Sequence, residues 1–304
     1  MNHLLTVRNL PKPSLEGLLE SAKMYKSLIE SGRPVPQTEI RTVGLLFFEN
    51  STRTRVSFEQ AANYLGYRHV NFSGAGSSIK KGESLKDTVL TLRASRLEGV
   101  VIRHSASGMY NVVVKYFEGP VLNAGDGRHE HPTQALADAL TILEKKGQIE
   151  GLKVAIVGDV ANSRVARSNI WSLTKLGAEV RIVGPRILMP GHTDKLPVSV
   201  YYDVKQGIAG ADVVMALRLQ TERMDSGLVS LGEYRRLYQI NRQTLKVAAP
   251  NAIVMHPGPM NRGVEIDDLT ADGPQSVIRQ QVSNGVFVRM AALSRAFDQE
   301  ETPS

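Results

Sequence analysis

The sequence predicts an α/β fold: two doubly wound domains, each with a parallel sheet flanked by helices, joined by interdomain helices. Three observations predict it. Short apolar runs alternate with helix-period segments along the chain. The runs form two sets, one on each side of the helical segment HPTQALADALTILEKKG. At 304 residues the chain is also long for one compact core, and domains of about 150 residues are the usual solution.

The elements follow in order. Leu15, Leu18, Leu19 and Ala22 recur at helical spacing, with Ser14 as a candidate N-cap. TVGLLFF is the first buried strand. Phe58, Ala61, Ala62 and Leu65 then mark a helix that Ser51 can cap and that Gly66 stops as its C′ residue. RHVNFS, EGVVIRH and GPVLNA complete the first set of strands. Pro132 suits the first helical position of the linking helix, and Gly147 suits its stop. LKVAIVGD, AEVRIVG, ADVVMAL and NAIVMHP form the second set. GVFVRMAALSRAF is expected to pack back on the first domain, because chain ends often lie close together, and QEETPS to fray. The expected division is therefore 1–131, with a returning helix within 284–304, and 132–283.

Composition narrows the function classes. The chain has no cysteine, which excludes disulfides, thiolate metal sites and a cysteine nucleophile, and suits a cytoplasmic setting. MNHLLTVRNLPKPS lacks the basic and apolar regions of a secretory leader, so no signal peptide is expected. The longest apolar runs fall far short of the roughly 20 residues of a membrane span, so no membrane partner is expected. The net charge of +7 is dispersed without blocks of like charge, and aromatics are only 6%. Small anionic ligands fit this pattern better than a nucleic-acid groove, which would cluster its basics among stacking aromatics.

Several strand ends carry candidate chemistry. STRTRVSF, residues 51–58, lies where a strand gives way to a helix. There the hydroxyls of Ser51, Thr52 and Thr54, the Arg53 guanidinium and the helix N-terminus would together hold a phosphate. The other reading is a capped helix whose arginines pair with Glu49 and Glu59. GAGSSIKKGESLKDT is either a mobile loop that brings a lysine onto an anion or an ordinary exposed loop. Arg103 ends a buried strand, placed for an anion or a carbonyl oxygen, or for a salt bridge; His104 beside it is equally a satisfied polar neighbour. His131 and Gln134 share one side of a first helical turn, where His131 can hydrogen-bond a carbonyl. The H-E-H triplet has no further clustered ligand to support zinc. After VAIVGD the glycine fingerprint of a dinucleotide site is missing, which disfavours a nicotinamide cofactor. Arg164 and Arg218, both in strand-end loops by this reading, could each take one carboxylate, or be surface charge. In MHPGPMNRG the two prolines and Gly258 make a rigid turn that can offer backbone carbonyls to an amide N–H.

These motifs, taken together and in order, resemble the aspartate/ornithine carbamoyltransferase superfamily over nearly the whole chain. STRTR with HPTQ carries the superfamily likeness. The lysine loop, RLQTER and HPGP resemble its aspartate-using catalytic chains, whereas ornithine-using relatives typically carry H-C-L-P and lack that loop. The resemblance implies transfer of a carbamoyl group from carbamoyl phosphate to the amine of aspartate, in pyrimidine synthesis, without metal or organic cofactor. By the same likeness Ser51, Thr52, Arg53, Thr54, Arg103, His131 and Gln134 hold carbamoyl phosphate, and the carbonyls of Gly258 and Pro259 face its amide. A leucine stands at the Gly258 position in the fuller enteric-type motif. Arg164, Arg218 and Gln220 bind aspartate. Ser77 and Lys81 come from a neighbouring subunit of a homotrimer, Lys81 serving with Arg53, Thr54, Arg103 and His131 in catalysis. Any regulatory chain or dihydroorotase would be a separate partner. Two other functions compete: a carbamoyltransferase for another amine such as ornithine, and a non-catalytic nucleotide- or nucleic-acid-binding α/β protein.

Overall fold

The computed structural model describes residues 2–36, 39–73, 83–220 and 230–298. The chain divides into two compact units, residues 1–140 with 283–304, and residues 141–282.

The first unit opens with α1 (Lys12–Glu30). This helix starts earlier than the sequence pattern suggests: Pro11, not Ser14, occupies the N-cap position, and a proline lies in the first two helical positions. Proline's fixed φ suits a first turn, whose N–H groups need no helical partner, and this outweighs the capping preference of serine. The chain then runs through β1 (Thr42–Phe47), α2 (Thr52–Tyr64), β2 (Arg68–Ser73), α3 (Leu85–Ala94), β3 (Gly99–His104), α4 (Tyr110–Tyr116), β4 (Val121–Asp126) and into α5 (Pro132–Lys146). α2 is entered through Ser51 and stops at Gly66, whose φ of 72° supplies the left-handed residue a C′ position takes. α5 likewise begins at Pro132 and is followed by Gly147 at φ 80°.

The first sheet has the order β2-β1-β3-β4, with every pair parallel. Parallel strands are covered on both faces, so they read as continuous apolar runs. β4 is buried along its whole length and β1 at all but its first residue. Leu46, Val100, Ile102 and Val121 of the sheet pack against Val89 and Leu92 of α3 and Val113 of α4.

The second unit carries β5 (Lys153–Val157), α6 (Arg164–Lys175), β6 (Glu179–Val183), β7 (Ser199–Tyr201), α7 (Val204–Ile208), β8 (Val213–Ala216), α8 (Leu231–Tyr238), β9 (Ile253–Met255) and α9 (Asp268–Ala271). Its sheet has the order β7-β6-β5-β8-β9, again all parallel. The sequence pattern misses β7, a three-residue edge strand without a buried residue. The last helix, α10 (Ile278–Phe297), begins before the apolar pattern that revealed it.

Both strand orders contain a reversal. β1 has β2 on one side and β3 on the other, and β5 has β6 on one side and β8 on the other. Connections leaving such a central strand diverge and open a crevice beyond the carboxyl ends, where open α/β sheets bind ligands. The loops after β1 and β3, and after β5 and β8, are thus the four places to seek a site.

Phe58 of α2 is fully buried. Phe58→Ala should therefore cost about 3–5 kcal/mol. Met24→Ala, at a side chain 46% exposed on α1, should cost under about 0.5 kcal/mol. Urea unfolding followed by circular dichroism checks both, with a large drop in midpoint expected only for Phe58→Ala.

Candidate active site

In the first unit the crevice is lined from β1, β3 and the segment leading into α5. β1 ends at Phe47, and Ser51 takes the N-cap position of α2 in extended conformation, φ −159°. Its hydroxyl makes no capping hydrogen bond, and so stays available to a ligand at the positive end of the helix. Thr52 and Arg53 are exposed, while Thr54 is buried. Thr54 Oγ1 lies 3.5 Å from His131 Nε2, the long edge of hydrogen-bonding range. His131 is buried just before Pro132, and its carbonyl accepts the Gln134 and Ala135 N–H groups at 3.1 and 3.2 Å. That backbone turn fixes the imidazole at the start of α5.

Arg103 is buried near the end of β3, the strand beside β1. Its Nη1 donates to the Ala124 carbonyl at 3.2 Å, and its Nε lies 3.5 Å from Glu49 Oε2. The guanidinium is thus held from the next strand and from the loop after β1. Of the ion pairs considered from sequence, Arg55 meets Glu59 at 3.7 Å, and Glu49 reaches Arg103. His104 takes its polar-neighbour role: the Ala106 N–H donates to its Nδ1 at 2.9 Å, and burial pushes its pKa down. The side chains of the H-E-H triplet go to different partners. His129 meets Asp126, Glu130 accepts the Val7 and Arg8 N–H groups, and His131 meets Thr54.

Asp126 organises this edge, and a sequence reading gives no hint of it. Its buried carboxylate accepts from the Gly108 N–H and Asn123 Nδ2 at 2.8 Å each, and from the Glu130 N–H and His129 Nδ1 at 3.1 Å. Burial pushes its pKa up, but these hydrogen bonds outweigh it and hold the group below the ordinary carboxylate value. Gln134, half-buried, donates from Nε2 to Asp138 Oδ1 at 2.8 Å.

The second unit repeats the arrangement at its own reversal. After β5, Gly158 turns the chain at φ 129° and Asp159 is fully buried. Asp159 accepts from the Asn162 N–H at 3.2 Å and Nδ2 at 2.9 Å, and from the Gln220 N–H at 3.4 Å. Ser163 caps α6 by accepting the Ala166 N–H at 3.1 Å. Arg164 is the first residue of α6, not a loop residue as the sequence pattern suggests, because Ser163 starts the helix at once. Its side chain is buried. Arg218 and Gln220 follow β8, the neighbour of β5, and Gln220 Nε2 donates to the Asn162 carbonyl at 3.0 Å. Gly258, at φ 66°, and Pro259 follow β9. The Gly258 N–H donates to His256 Nδ1 at 2.9 Å, so the ring's proton sits on Nε2, which faces Glu265 Oε1 at 3.2 Å. Asn261 Nδ2 donates to the Leu219 carbonyl at 3.1 Å, which ties this turn to the loop that carries Arg218 and Gln220.

The structure thus brings Ser51–Thr54, Arg103, His131 and Gln134 to the carboxyl edge of the first sheet. It brings Arg164, Arg218, Gln220, Gly258 and Pro259 to that of the second. Ser77 and Lys81 lie outside the described residues.

Residues 2–144 match the aspartate/ornithine carbamoyltransferase, carbamoyl-P binding domain model, and residues 150–296 match the Asp/Orn binding domain model. The aspartate carbamoyltransferase catalytic subunit of Granulibacter bethesdensis is 53% identical over 96% of this chain and 93% of its own. That of Moorella thermoacetica is 51% identical over 95% of each. Among solved structures, aspartate transcarbamoylase from Trypanosoma cruzi in complex with N-(phosphonacetyl)-L-aspartic acid superposes with a TM-score of 0.88 at 29% identity, covering 98% of this chain and 96% of that one. Ornithine carbamoyltransferase from Pyrococcus furiosus superposes with a TM-score of 0.86 at 31% identity, over 96% of each chain. Both halves are matched in order, and the relatives align over almost the full length: the chain belongs to the aspartate/ornithine carbamoyltransferase family.

Proposed function

We propose that this chain is an aspartate carbamoyltransferase. It transfers the carbamoyl group of carbamoyl phosphate to the amino group of L-aspartate, giving N-carbamoyl-L-aspartate and phosphate, in de novo pyrimidine synthesis. The observation that carries the reading is the grouping on the first sheet. An uncapped helix N-terminus with three hydroxyls lies at one strand end, and a buried arginine lies at the next. The first suits a phosphate and the second a carbonyl oxygen, the two ends of carbamoyl phosphate.

In this reading Ser51, Thr52, Arg53 and Thr54 cradle the phosphate. Thr54, Arg103 and His131 donate to the carbonyl oxygen, and Gln134 with the Gly258 and Pro259 carbonyls serves the amide. The neutral amine of aspartate attacks the carbamoyl carbon. The C–N bond forms, charge gathers on the oxygen, and the C–O bond to phosphate then breaks. Phosphate leaves with the electron pair and can accept the amine proton, so no dedicated protein base is required. Well-placed donors at such an oxygen are worth about 3–4 kcal/mol each. Arg164 and Arg218 take the two carboxylates of aspartate, with Gln220 beside them. Their charge is what favours aspartate over ornithine, whose side-chain ammonium calls for an acidic partner. A nucleotide-binding role is less well served, because Asp159 and not a glycine follows Gly158 where a pyrophosphate would approach the backbone. Neither a metal nor an organic cofactor enters this chemistry. The protein is further proposed to act in the cytoplasm as a homotrimer, with Ser77 and Lys81 of each chain completing a neighbour's site.

Carbamoyl phosphate supplied with aspartate or ornithine, with product identified by mass spectrometry, tests the reaction. Carbamoyl aspartate is expected and carbamoyl ornithine is not. Citrulline as the main product would transfer the assignment to ornithine. Tight DNA or RNA binding without turnover of either amine would favour the nucleic-acid reading.

A second experiment tests the shared site. Arg53→Ala and Lys81→Ala chains should each be inactive, and should regain activity when dissociated and reassembled together. Mixed assemblies that stay inactive would refute sharing of Lys81 between subunits.

A further inference from the structure

We propose that Asp138 is a positioning residue: it orients the amide of Gln134 so that the Gln134 oxygen accepts from a ligand N–H. Position 134 then selects a carbamoyl group over an acyl group. The proposal rests on the carbamoyl phosphate reading above and deepens it.

Gln134 and Asp138 stand one turn apart on α5, where side chains four residues apart meet. Asp138 is fully buried, and its Oδ1 lies 2.8 Å from Gln134 Nε2. An ionised carboxylate only accepts hydrogen bonds, so the nitrogen of the amide must face it. The amide is planar, so Oε1 is turned the other way. Among the described residues no group donates to that oxygen, and Gln134 is only half-buried. The arrangement leaves a fixed acceptor open to a ligand. Were Asp138 neutral, it could donate to Oε1 instead, and the amide could turn over and present N–H.

Arg289 of α10 is a buried cation on which the negative charge of Asp138 acts. Its Nη1 donates to Ser57 Oγ at 3.0 Å and to the Gly285 carbonyl at 2.8 Å. The guanidinium also lies over the Phe58 ring, 5.2 Å from the centroid. Burial pulls its pKa down to about 10, with the negative charge of Asp138 acting in the opposite direction. It therefore remains cationic at neutral pH, a positive charge that favours the ionised form of Asp138. The glycine at 285 leaves room for this contact: a Cβ there would come within 2.4 Å of Arg289 Nη1, and the guanidinium would have to shift. Ser57 and Phe58 belong to the same helix as Thr54, so one buried cation ties α10 to the helix of the phosphate cradle and serves the orienting residue of α5.

Carbamoyl and acetyl phosphate share a phosphate and a carbonyl, and differ by NH₂ against CH₃. A site built around a ligand N–H disfavours an analogue without it, because its own acceptor is left unpaired. Equilibrium binding of both compounds to the full-length protein tests the proposal. The wild type should prefer carbamoyl phosphate. Asp138→Asn should cut that preference about tenfold or more, chiefly by weakening carbamoyl phosphate. Gln134→Leu should do the same, and the double variant should lose no more than either single variant. A purely structural role for Asp138 would weaken both ligands in parallel. That result, an unchanged preference in Asp138→Asn, or additive losses in the double variant would overturn the proposal. A wild type without preference would instead overturn the carbamoyl phosphate reading beneath it. If Asp138→Asn alone does not fold, Asp138→Asn/Arg289→Gln removes both charges and carries the same expectations.

Discussion

All paired strands in both sheets run parallel, and this one constraint sets where the chemistry can stand. Parallel strands all end at the same edge, so each sheet gathers the loops that leave its strands, and the helix starts that follow them, on one side. Each strand order also contains a reversal, at β1/β3 in the first unit and at β5/β8 in the second. The polar motifs fall at those strand ends. Ser51–Thr54 and Arg103 follow or end β1 and β3, while Arg164 and Arg218 follow β5 and β8. The same residues elsewhere on the sheets would be isolated charges.

Such an edge must be held still, and buried carboxylates do this in both units. Asp126 gathers donors from Gly108, Asn123, His129 and Glu130. Asp159 gathers them from Asn162 and Gln220. A carboxylate with several donors repays its desolvation, whereas the loss of such an acceptor leaves each buried donor costing about 1–3 kcal/mol. These groups need touch no ligand to matter. They convert flexible strand-end loops into surfaces with fixed donors, which is the state that transition-state stabilisation requires.

Much of this was legible in the sequence. Parallel strands advertise themselves as continuous apolar runs, and STRTR, VIRH and HPTQ stand where such runs stop or a helix starts. The rest was hidden for physical reasons. β7 is too short and too exposed to leave an apolar run. The start of α1 depended on proline geometry winning over a serine cap. Asp126 and Asp159 look like ordinary loop residues, because some of their donors lie far along the chain. Gly108 is 18 residues from Asp126, and Gln220 is 61 from Asp159. Asp138 looks like a polar interruption in an apolar helix, because the cation its charge acts on, Arg289, lies in α10 near the other end of the chain. Ser51 was legible as a cap by position, yet its hydroxyl does not cap, because side-chain orientation leaves no trace in the sequence pattern.

Thr54 links the two ends of one ligand: it lies in the first turn of the helix of the phosphate cradle, and its hydroxyl stands beside His131 at the carbonyl end. Thr54→Val keeps the shape and removes the hydroxyl. Steady-state kinetics with carbamoyl phosphate and aspartate should show kcat falling by about 10²–10³, as for the loss of one oxyanion donor. The KM for carbamoyl phosphate should change by much less. A raised KM with kcat intact would contradict the account, since it would make Thr54 a ground-state phosphate ligand and nothing more.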